Sequence, residues 1–326
     1  MPVTARSFGE RQIRRFRSRL LAWFDREKRS LPWRGESDPY RILVSEIMLQ
    51  QTRVTVVKDR YEKFLRQFPT VECLARARKQ TVLASWSGLG YYRRARALHA
   101  AAKQIVHSGG FPVRAAQLVD LPGVGRYTAA AVASIAFDEP VPVVDGNVQR
   151  VLRRFLKRDL LNGQTWQVAA QLLDGGRPGD FNQAMMELGA VVCVPARPLC
   201  RQCPLAGSCA SRGAEARRKQ LPRRKAVLNF MLARRNGSVL LEQRPPSSSL
   251  MPLMWDLPTF AAPPRIEPAL KLRHAITSTD YDVFVFTGRG RREARGRWVA
   301  LQSAARLPLT GLARKILGRL ELLAPG

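Results

Sequence analysis

Apolar residues recur at three- and four-residue spacing from about residue 8 to residue 192, and this period constrains the fold more than any other feature. Tyr61, Phe64, Leu65 and Phe68 are one example, and such spacing places side chains on one face of an α-helix. No stretch alternates with period two for long, and segments rich in proline and glycine separate the apolar runs. The pattern predicts an all-α region of short helices.

A second region follows a charged, proline-containing segment at residues 216–226, which we interpret as a basic linker. Beyond it, "AVLNFML" and "SVLLEQ" flank "RRNG", and Asn236-Gly237 predicts a hairpin because a type I′ turn needs positive φ at both central residues. "YDVFVFTG" predicts another strand and "LTGLARKILGRLELL" a closing helix. We therefore expect a helical domain over residues 1–215 and an α+β domain over residues 227–326.

The chain is strongly basic, with 55 Lys and Arg against 25 Asp and Glu and a formal net charge of +30. This balance favours a polyanionic partner, first of all nucleic acid, because neutralised phosphates release counterions. A generic basic surface is the alternative that the charge alone does not exclude. No run of about 18 apolar residues occurs, so we expect no membrane-spanning segment.

The basic segment near the start, "RQIRRFRSRLLAWF", could be read as an organelle transit peptide. Ile13, Phe16, Leu20 and Trp23 nevertheless recur at helical spacing. This spacing favours an amphipathic first helix of the fold.

Four of the five cysteines lie in a C-x6-C-x2-C-x5-C pattern, at Cys193, Cys200, Cys203 and Cys209. Disulfides explain this poorly, because nothing points to secretion and a large helical domain needs no cross-links. Zinc is usually held by two closely spaced cysteine pairs, and only one such pair occurs here. An iron–sulfur cluster with four Cys ligands fits better. We expect the fifth cysteine, Cys73, to lie in the core.

The turn "LPGVG" lies between two helical segments. Glycines let the backbone approach a ligand closely, and the N–H groups that begin the next helix form an anion site. A DNA phosphate is a suitable anion, although a Pro-Gly turn alone is a weak signal.

Together with this turn and a downstream aspartate, the cysteine pattern resembles the 4Fe-4S loop of the endonuclease III superfamily of DNA glycosylases. The resemblance implies a 4Fe-4S cluster on the four cysteines and a helix-hairpin-helix motif at the turn. The hairpin residues that it implies in DNA binding are Leu121, Gly123, Val124 and Gly125.

Asp145 precedes an amphipathic helix in "VPVVDGNVQRVLRR", where a helix N-cap is a common role for aspartate. In the superfamily, the Asp downstream of the hairpin is the catalytic carboxylate that stabilises the developing sugar cation. The resemblance gives Asp145 this role, which is compatible with capping. It also implies that Asn147 supports catalysis.

The stretch "SEIMLQQT", residues 45–52, resembles the segment that carries the catalytic Glu of MutY-type adenine DNA glycosylases. Glu46 lies on a helix that is otherwise apolar, where it could also pair with Arg41 or Arg53. A desolvated Glu has a raised pKa and can hold a proton near neutrality, as a general acid must. The resemblance implies that Glu46 protonates N7 of adenine.

The same resemblance assigns further residues. Gln50 and Tyr91 match positions that enter the DNA stack, although a surface amide and a core aromatic are the ordinary alternatives. The residues that match the adenine pocket are Arg29, Trp33, Arg34 and Glu187. Trp33 and Arg34 could instead be a core side chain and a surface ion pair.

Tyr127 occupies the position at which bifunctional members such as endonuclease III carry a lysine. That lysine forms a Schiff base with the sugar and leads to strand cleavage. A phenol cannot form an imine, so we expect a monofunctional enzyme. Gln149 stands where some MutY-type proteins have another lysine.

The C-terminal region resembles the Nudix-related domain of MutY-type enzymes, in which a loop recognises 8-oxoguanine. This chain lacks a Glu-rich metal-binding box and has only scattered acids there, so Nudix hydrolysis is not expected. The loop often carries Phe-Ser-His in the family, whereas Ile276, Thr277 and Ser278 stand here. The hydroxyls of Thr277 and Ser278 could still donate hydrogen bonds.

The patterns thus predict an all-α domain followed by an α+β domain. The resemblance implies that these are a helix-hairpin-helix glycosylase core with a 4Fe-4S loop and a Nudix-like domain. The implied function is excision of adenine mispaired with 8-oxoguanine or guanine in double-stranded DNA. The protein would act as a monomer in the cytoplasm, at the nucleoid if bacterial. The alternatives are a superfamily member acting on oxidised pyrimidines or mismatched thymine, and a non-catalytic iron–sulfur DNA-binding protein.

Overall fold

The computed structural model of the protein describes residues 8–212, 223–248, 251–262, 264–276, 279–288 and 296–323. The chain divides into two compact units. The first comprises the described residues of Met1–Ala75 and Ala100–Arg218, and the second those of Arg76–His99 and Lys219–Gly326. Residues 76–99, which the sequence pattern groups with the helical domain, therefore belong with the C-terminal residues.

The region from residue 8 to residue 192 is helical, as the apolar spacing predicts. Its helices are α1 (Glu10–Glu27), α2 (Pro39–Leu49), α3 (Val54–Gln67), α4 (Val71–Arg76), α5 (Lys79–Ser85), α6 (Arg93–His107), α7 (Ala115–Leu118), α8 (Arg126–Ala136), α9 (Gly146–Leu156), α10 (Asn162–Leu172) and α11 (Pro178–Glu187). A π-helical turn over Leu188–Val192 continues α11, and short 3₁₀ turns follow at Cys200–Gln202 and Ala206–Ser208.

The core of the first unit forms around α1, which packs on α10 and α11. Phe16, Leu20 and Trp23 are buried there, as predicted for an amphipathic first helix. Leu152 of α9 and Phe181 of α11 join the same cluster. Burial of each large apolar side chain stabilises the fold by roughly 1.5–3 kcal/mol. This core fixes α9 and α11, whose ends carry two of the predicted site residues.

In its described residues, the C-terminal part of the second unit contains one mixed sheet, one antiparallel sheet and two helices, which confirms the predicted α+β class. Its elements are β1 (Arg224–Leu232), β2 (Arg234–Arg235), β3 (Ser238–Gln243), β4 (Trp255–Asp256), β5 (Thr259–Phe260), β6 (Leu270–Ile276), β7 (Thr279–Thr287), β8 (Arg297–Ala300), α12 (Leu301–Ala304) and α13 (Gly311–Arg319). One sheet has the order β5-β1-β7-β6, with β1 and β7 parallel; the other joins β2, β3 and β4, and β8 pairs with β3.

The predicted hairpin joins β2 to β3. Asn236 and Gly237 have φ angles of 47° and 69°, the positive values that a type I′ turn requires. Val283 and Val285 of β7 are fully buried in the core that also contains Leu312 and Ile316 of α13. The predicted closing helix thus packs its apolar face on the sheet.

Two expectations need correction. Strand β1 begins at Arg224, inside the segment interpreted as a linker, because Arg224–Ala226 pair with Thr279–Tyr281 of β7. Apart from Arg223, the rest of that segment lies outside the described residues. Cys73 is exposed rather than buried, because the short helix α4 turns Leu74 and Ala75 inward instead. Among the described helices, none has both the length and the apolar content to cross a bilayer.

Candidate active site

The first unit contains a cavity of about 520 Å³ between α2, α8, α9 and α11. Nine of the residues singled out in the sequence line it: Arg29, Trp33, Arg34, Glu46, Gln50, Tyr127, Asp145, Asn147 and Glu187. They come from segments far apart in the chain. The fold therefore brings together, in one pocket, Gln50 and all the residues predicted for catalysis and for the adenine pocket.

Glu46 lies on α2, a helix that begins at the N-cap Asp38 and is buried along nearly its whole length. The residue is only 5% exposed. Burial raises the pKa of Glu46 to about 7; the nearby Asp145 charge also raises it, whereas the Tyr127 hydrogen bond and the Arg34 charge lower it. A carboxyl group with this pKa is partly protonated at neutral pH and can donate a proton.

Tyr127 lies in the first turn of α8, which follows the glycine hairpin. Its hydroxyl donates a hydrogen bond to Glu46 Oε2 at 2.8 Å and lies 3.2 Å from Met186 Sδ. Burial, with the negative charges of Glu46 and Asp145, raises the pKa of Tyr127 well above its usual value. The phenol stays neutral and acts as a hydrogen-bond donor.

Asp145 is the N-cap of α9, as the sequence predicts. Its Oδ1 accepts a hydrogen bond from Val148 N at 2.7 Å, and its Oδ2 accepts one from Asn147 Nδ2 at 2.9 Å. Burial raises the pKa of Asp145, while these hydrogen bonds and the Arg150 charge oppose the rise. The same carboxylate therefore caps the helix and lines the cavity.

Arg150 connects this carboxylate to the cysteine segment. Its Nη2 donates to Asn147 Oδ1 at 2.8 Å and to the Gly189 carbonyl at 2.7 Å, and its Nε donates to the Cys193 carbonyl at 2.8 Å. Asn147 is thereby held between Asp145 and Arg150. Gly189 packs so closely on Asn147 that an added Cβ would lie 2.6 Å from the Asn147 Cβ.

A buried ion-pair network forms another wall of the cavity. Glu187 is 2% exposed. Its Oε1 lies 2.6 Å from Arg29 Nε, and its Oε2 lies 2.9 Å from Arg34 Nη2. Burial alone would raise the pKa of Glu187, but the hydrogen bonds and charges of the two arginines lower it below its usual value. Glu187 therefore stays ionised, and it holds two guanidinium groups at the pocket.

Sequence reasoning missed Gln183, which also lines the cavity. Its Oε1 accepts a hydrogen bond from Arg34 Nη1. Gln183 lies four residues before Glu187 on α11, and side chains at this spacing share a helix face. That spacing is the one sequence signal from which it could have been found.

Trp33 and Gln50 complete the lining. Trp33 is 7% exposed and packs edge-on against Tyr61, with ring centroids 5.4 Å apart, so it is a core side chain and a pocket side chain at once. Gln50 follows the last residue of α2, and its Nε2 donates to Thr128 Oγ1 at 3.2 Å.

The glycine hairpin precedes α8. Gly123 has a φ of 78°, and Gly125 is the N-cap of the helix and offers no side chain to bind its first N–H groups. Leu121 and Val124 are each 4% exposed. Because Leu121 and Val124 are buried, these two residues could contact an anion only through backbone atoms, as could the exposed glycines.

Two further predicted residues, Tyr91 and Ile276, belong to the second unit. Tyr91 is 46% exposed and has a φ of 47°. Ile276 is the last residue of β6 and is half-buried. Thr277 and Ser278 lie outside the described residues.

The four clustered cysteines line one small cavity next to Arg154. Arg154 is 3% exposed. Its Nη1 lies 3.4 Å from Cys193 Sγ, and its guanidinium donates hydrogen bonds to the carbonyls of Val194 and Pro195. Within the described part of the chain, no three His, Cys, Asp or Glu side chains have the arrangement that holds a single metal ion.

Solved structures similar to this chain include a DNA glycosylase and an endonuclease III. A thermostable thymine-DNA glycosylase is 32% identical with a TM-score of 0.58, covering 61% of this chain and 96% of that chain. A trapped endonuclease III–DNA covalent intermediate, at 22% identity and a TM-score of 0.55, shares the fold over 63% of this chain and 97% of that chain. The helical unit therefore has the fold of the endonuclease III class of repair proteins.

The HhH-GPD superfamily of base excision DNA repair proteins matches residues 44–164. The chain belongs to this superfamily. An adenine DNA glycosylase of Mus musculus is 50% identical over 211 residues, which are 60% of this chain and 41% of the mouse protein. The chain thus spans about two fifths of the length of such curated relatives.

The contact between Gly189 and Asn147 generates a prediction. Gly189→Ala should lower the free energy of unfolding by about 1–3 kcal/mol, because the added methyl group overlaps Asn147 and must displace it. Gly163→Ala, in the exposed first turn of α10 with nothing within 4 Å of its added Cβ, serves as the control and should stay within about 1 kcal/mol of wild type. Urea denaturation measures both. Equal stability of the two variants would contradict the close contact.

Proposed function

We propose that the protein is an adenine DNA glycosylase of base excision repair, which hydrolyses the N-glycosidic bond of a mispaired adenine. The observation that carries the proposal is a pocket in which a buried, protonatable Glu46 faces the ionisable Asp145. The half-identical mouse protein, named adenine DNA glycosylase, supports adenine as the base.

Two carboxyl groups suit this reaction. Cleavage of an N-glycosidic bond produces an oxocarbenium-like sugar and a poor anionic leaving group, and glycosidases solve this problem with one acid and one second carboxylate. In our proposal Glu46 donates its proton to N7 of adenine, and Asp145 stabilises or transiently captures the sugar cation. Because Tyr127 donates to Glu46 Oε2, Oε1 is the oxygen that carries the transferred proton. Water then completes hydrolysis and leaves an abasic site.

The substrate must leave the duplex before it can reach such a pocket. We assign recognition of the extruded adenine to Arg29, Trp33, Arg34 and Glu187, with Gln183 added. The hairpin Leu121, Gly123, Val124 and Gly125 holds a phosphate, and Gln50 and Tyr91 enter the stack. The proposed partner is double-stranded DNA with adenine opposite 8-oxoguanine or guanine, bound by a monomer in the cytoplasm or at a bacterial nucleoid.

The reaction should stop at the abasic site. Tyr127 fills the position of the lyase lysine, and its phenol cannot form a Schiff base. Gln149, four residues after Asp145, has no amine either, and its Nε2 donates to Asn162 Oδ1 at 3.2 Å.

We assign a 4Fe-4S cluster to Cys193, Cys200, Cys203 and Cys209. All four cysteines line one cavity, and four Cys ligands are the usual donor set of this cluster. Each cysteine of such a cluster binds a different iron, so the thiols stand farther apart than four ligands of one ion. When bound, the cluster would cross-link the cysteine segment, whose Cys193 carbonyl accepts hydrogen bonds from Arg150 and Arg154.

For the C-terminal region we propose a Nudix-like lesion-recognition domain without hydrolase activity. Its acids Glu242, Asp256 and Glu267 are not gathered in a Glu-rich box. The loop at Ile276, Thr277 and Ser278 would meet 8-oxoguanine through hydroxyl groups rather than an aromatic ring and an imidazole.

Single-turnover excision tests the proposed activity. Duplexes with adenine opposite 8-oxoguanine should yield a break at the adenine after heating with alkali, and Glu46→Gln should lower the rate at least about 100-fold. Glu62→Gln, at an exposed position of α3, is the control and should match wild type.

The excision rate of wild type should also fall as pH rises through about 7, because Glu46 must be protonated to act.

Other outcomes of this assay would contradict the proposal. Excision of thymine opposite guanine, with no break at adenine, would assign a different base. Binding without any excision would leave a DNA-binding protein. A break without alkali would contradict the monofunctional mechanism.

Elemental analysis of the purified protein tests the cluster. Wild type should contain about four iron and four sulfide per chain, as a 4Fe-4S cluster requires. Cys203→Ser should lose most of the iron and the visible absorption. Cys73→Ser, at an exposed cysteine, should keep both. Zinc in place of iron would overturn the assignment.

A further inference from the structure

The turn that carries Tyr91 lies in the second unit. Gly88, Gly90 and Tyr91 all have positive φ angles, of 94°, 68° and 47°. Glycine adopts this region readily, whereas a tyrosine there is strained because its Cβ crowds the backbone. An exposed aromatic ring at a strained position persists only when its surroundings hold the turn.

Residues next to the turn supply part of this support. Arg94 is 8% exposed, and its Nη2 donates to the carbonyls of Leu89 at 3.0 Å and Gly90 at 3.3 Å. Its guanidinium carbon lies 5.6 Å from the ring centroids of both Trp86 and Tyr91. Trp86 Nε1 also donates to Gly90 O at 3.2 Å.

The C-terminal residues hold the same turn from both sides. On the side that precedes Tyr91, Arg314 of α13 donates from Nε to Ser87 Oγ at 2.8 Å, and Ser87 is 4% exposed. On the side that follows Tyr91, the Tyr92 hydroxyl donates to the carbonyl of Leu309 at 3.2 Å. Leu309 lies next to the N-cap of α13. One end of the C-terminal domain thus fixes both neighbours of the tyrosine turn.

We propose that Arg314 is a positioning residue, which holds Ser87 and so orients Tyr91 for insertion into the DNA beside the mispair. The C-terminal domain would then act on adenine excision through the tyrosine turn as well as through any contact of its own with the lesion. This inference rests on the proposed function for the role of Tyr91. If the bond between α13 and residues 76–99 were only structural, it would stabilise the fold without affecting the unstacking of the DNA.

A fluorescent duplex separates these two roles. Its adenine is replaced by 2′-fluoro-2′-deoxyadenosine, which resists cleavage, opposite 8-oxoguanine, and 2-aminopurine lies next to the 8-oxoguanine. Unstacking of the 2-aminopurine should raise its fluorescence when wild-type protein binds. Tyr91→Ala, which cannot insert a ring, gives the fluorescence expected without insertion. Single-turnover excision of a cleavable duplex and the melting temperature are measured in parallel.

We expect Arg314→Leu and Ser87→Ala each to lower the fluorescence rise at least about 3-fold, together with the excision rate. In the fluorescence rise, the double variant should be no worse than Arg314→Leu, since Ser87→Ala removes the same Arg314–Ser87 hydrogen bond that Arg314→Leu has already removed. Arg314→Lys, which keeps a donor, should recover part of the signal. Arg319→Gln, exposed on the same helix, should match wild type. If Arg314→Leu fails to fold, Ser87→Ala carries the comparison.

Two results would overturn the inference. One is a lower melting temperature for Arg314→Leu and Ser87→Ala with wild-type unstacking and excision, which leaves only a structural tie. The other is an unchanged fluorescence rise in Tyr91→Ala. If wild type excises nothing while its unstacking signal still depends on Tyr91 and Arg314, the proposed function fails and the positioning role stands.

Discussion

The removal of Glu46 from water is the interaction on which the rest of the site depends. A carboxyl group buried on an apolar helix keeps its proton to a pH that an exposed glutamate never reaches, here to about 7. The Tyr127 hydroxyl opposes this rise by donating to one carboxyl oxygen, so it limits the shift to the range in which proton transfer is useful. The Asp145 charge acts in the other direction. Burial makes the largest contribution, and its balance against Tyr127, Asp145 and the Arg34 charge makes the pocket suited to acid catalysis at neutral pH.

The second carboxylate is held by different means. Asp145 receives two hydrogen bonds from the first turn of α9, and Arg150 extends this bonding through Asn147 to the backbone of Cys193. Asp145 is therefore fixed by the helix start and by the segment that carries the four cysteines. If those cysteines hold a cluster, the cluster supports the pocket by fixing the carbonyl that Arg150 binds. This gives the cysteine segment a structural role that does not require electron transfer.

Sequence reasoning could reach Glu46 and Asp145 because both lie in short local motifs, and the N-cap at Asp145 is itself a local effect. It missed Gln183, whose place depends on a contact with Arg34, 149 residues away in the chain. It also grouped residues 76–99 with the helical domain, since the bond from Tyr92 to Leu309 spans 217 residues. The predictions that Cys73 is buried and that residues 224–226 belong to a linker failed for the same reason. Periodicity predicts that an element exists, whereas its partners depend on the folded chain.

The protonation of Glu46 can be measured directly by NMR titration of ¹³C-labelled glutamate carboxyl groups, with Glu46→Gln identifying its signal. The account predicts a midpoint near pH 7. It also predicts a higher midpoint in Tyr127→Phe, because the lost hydrogen bond is one that lowers this pKa. A midpoint at the ordinary glutamate value of 4.5, unaffected by Tyr127→Phe, would contradict the central claim that burial makes Glu46 the proton donor.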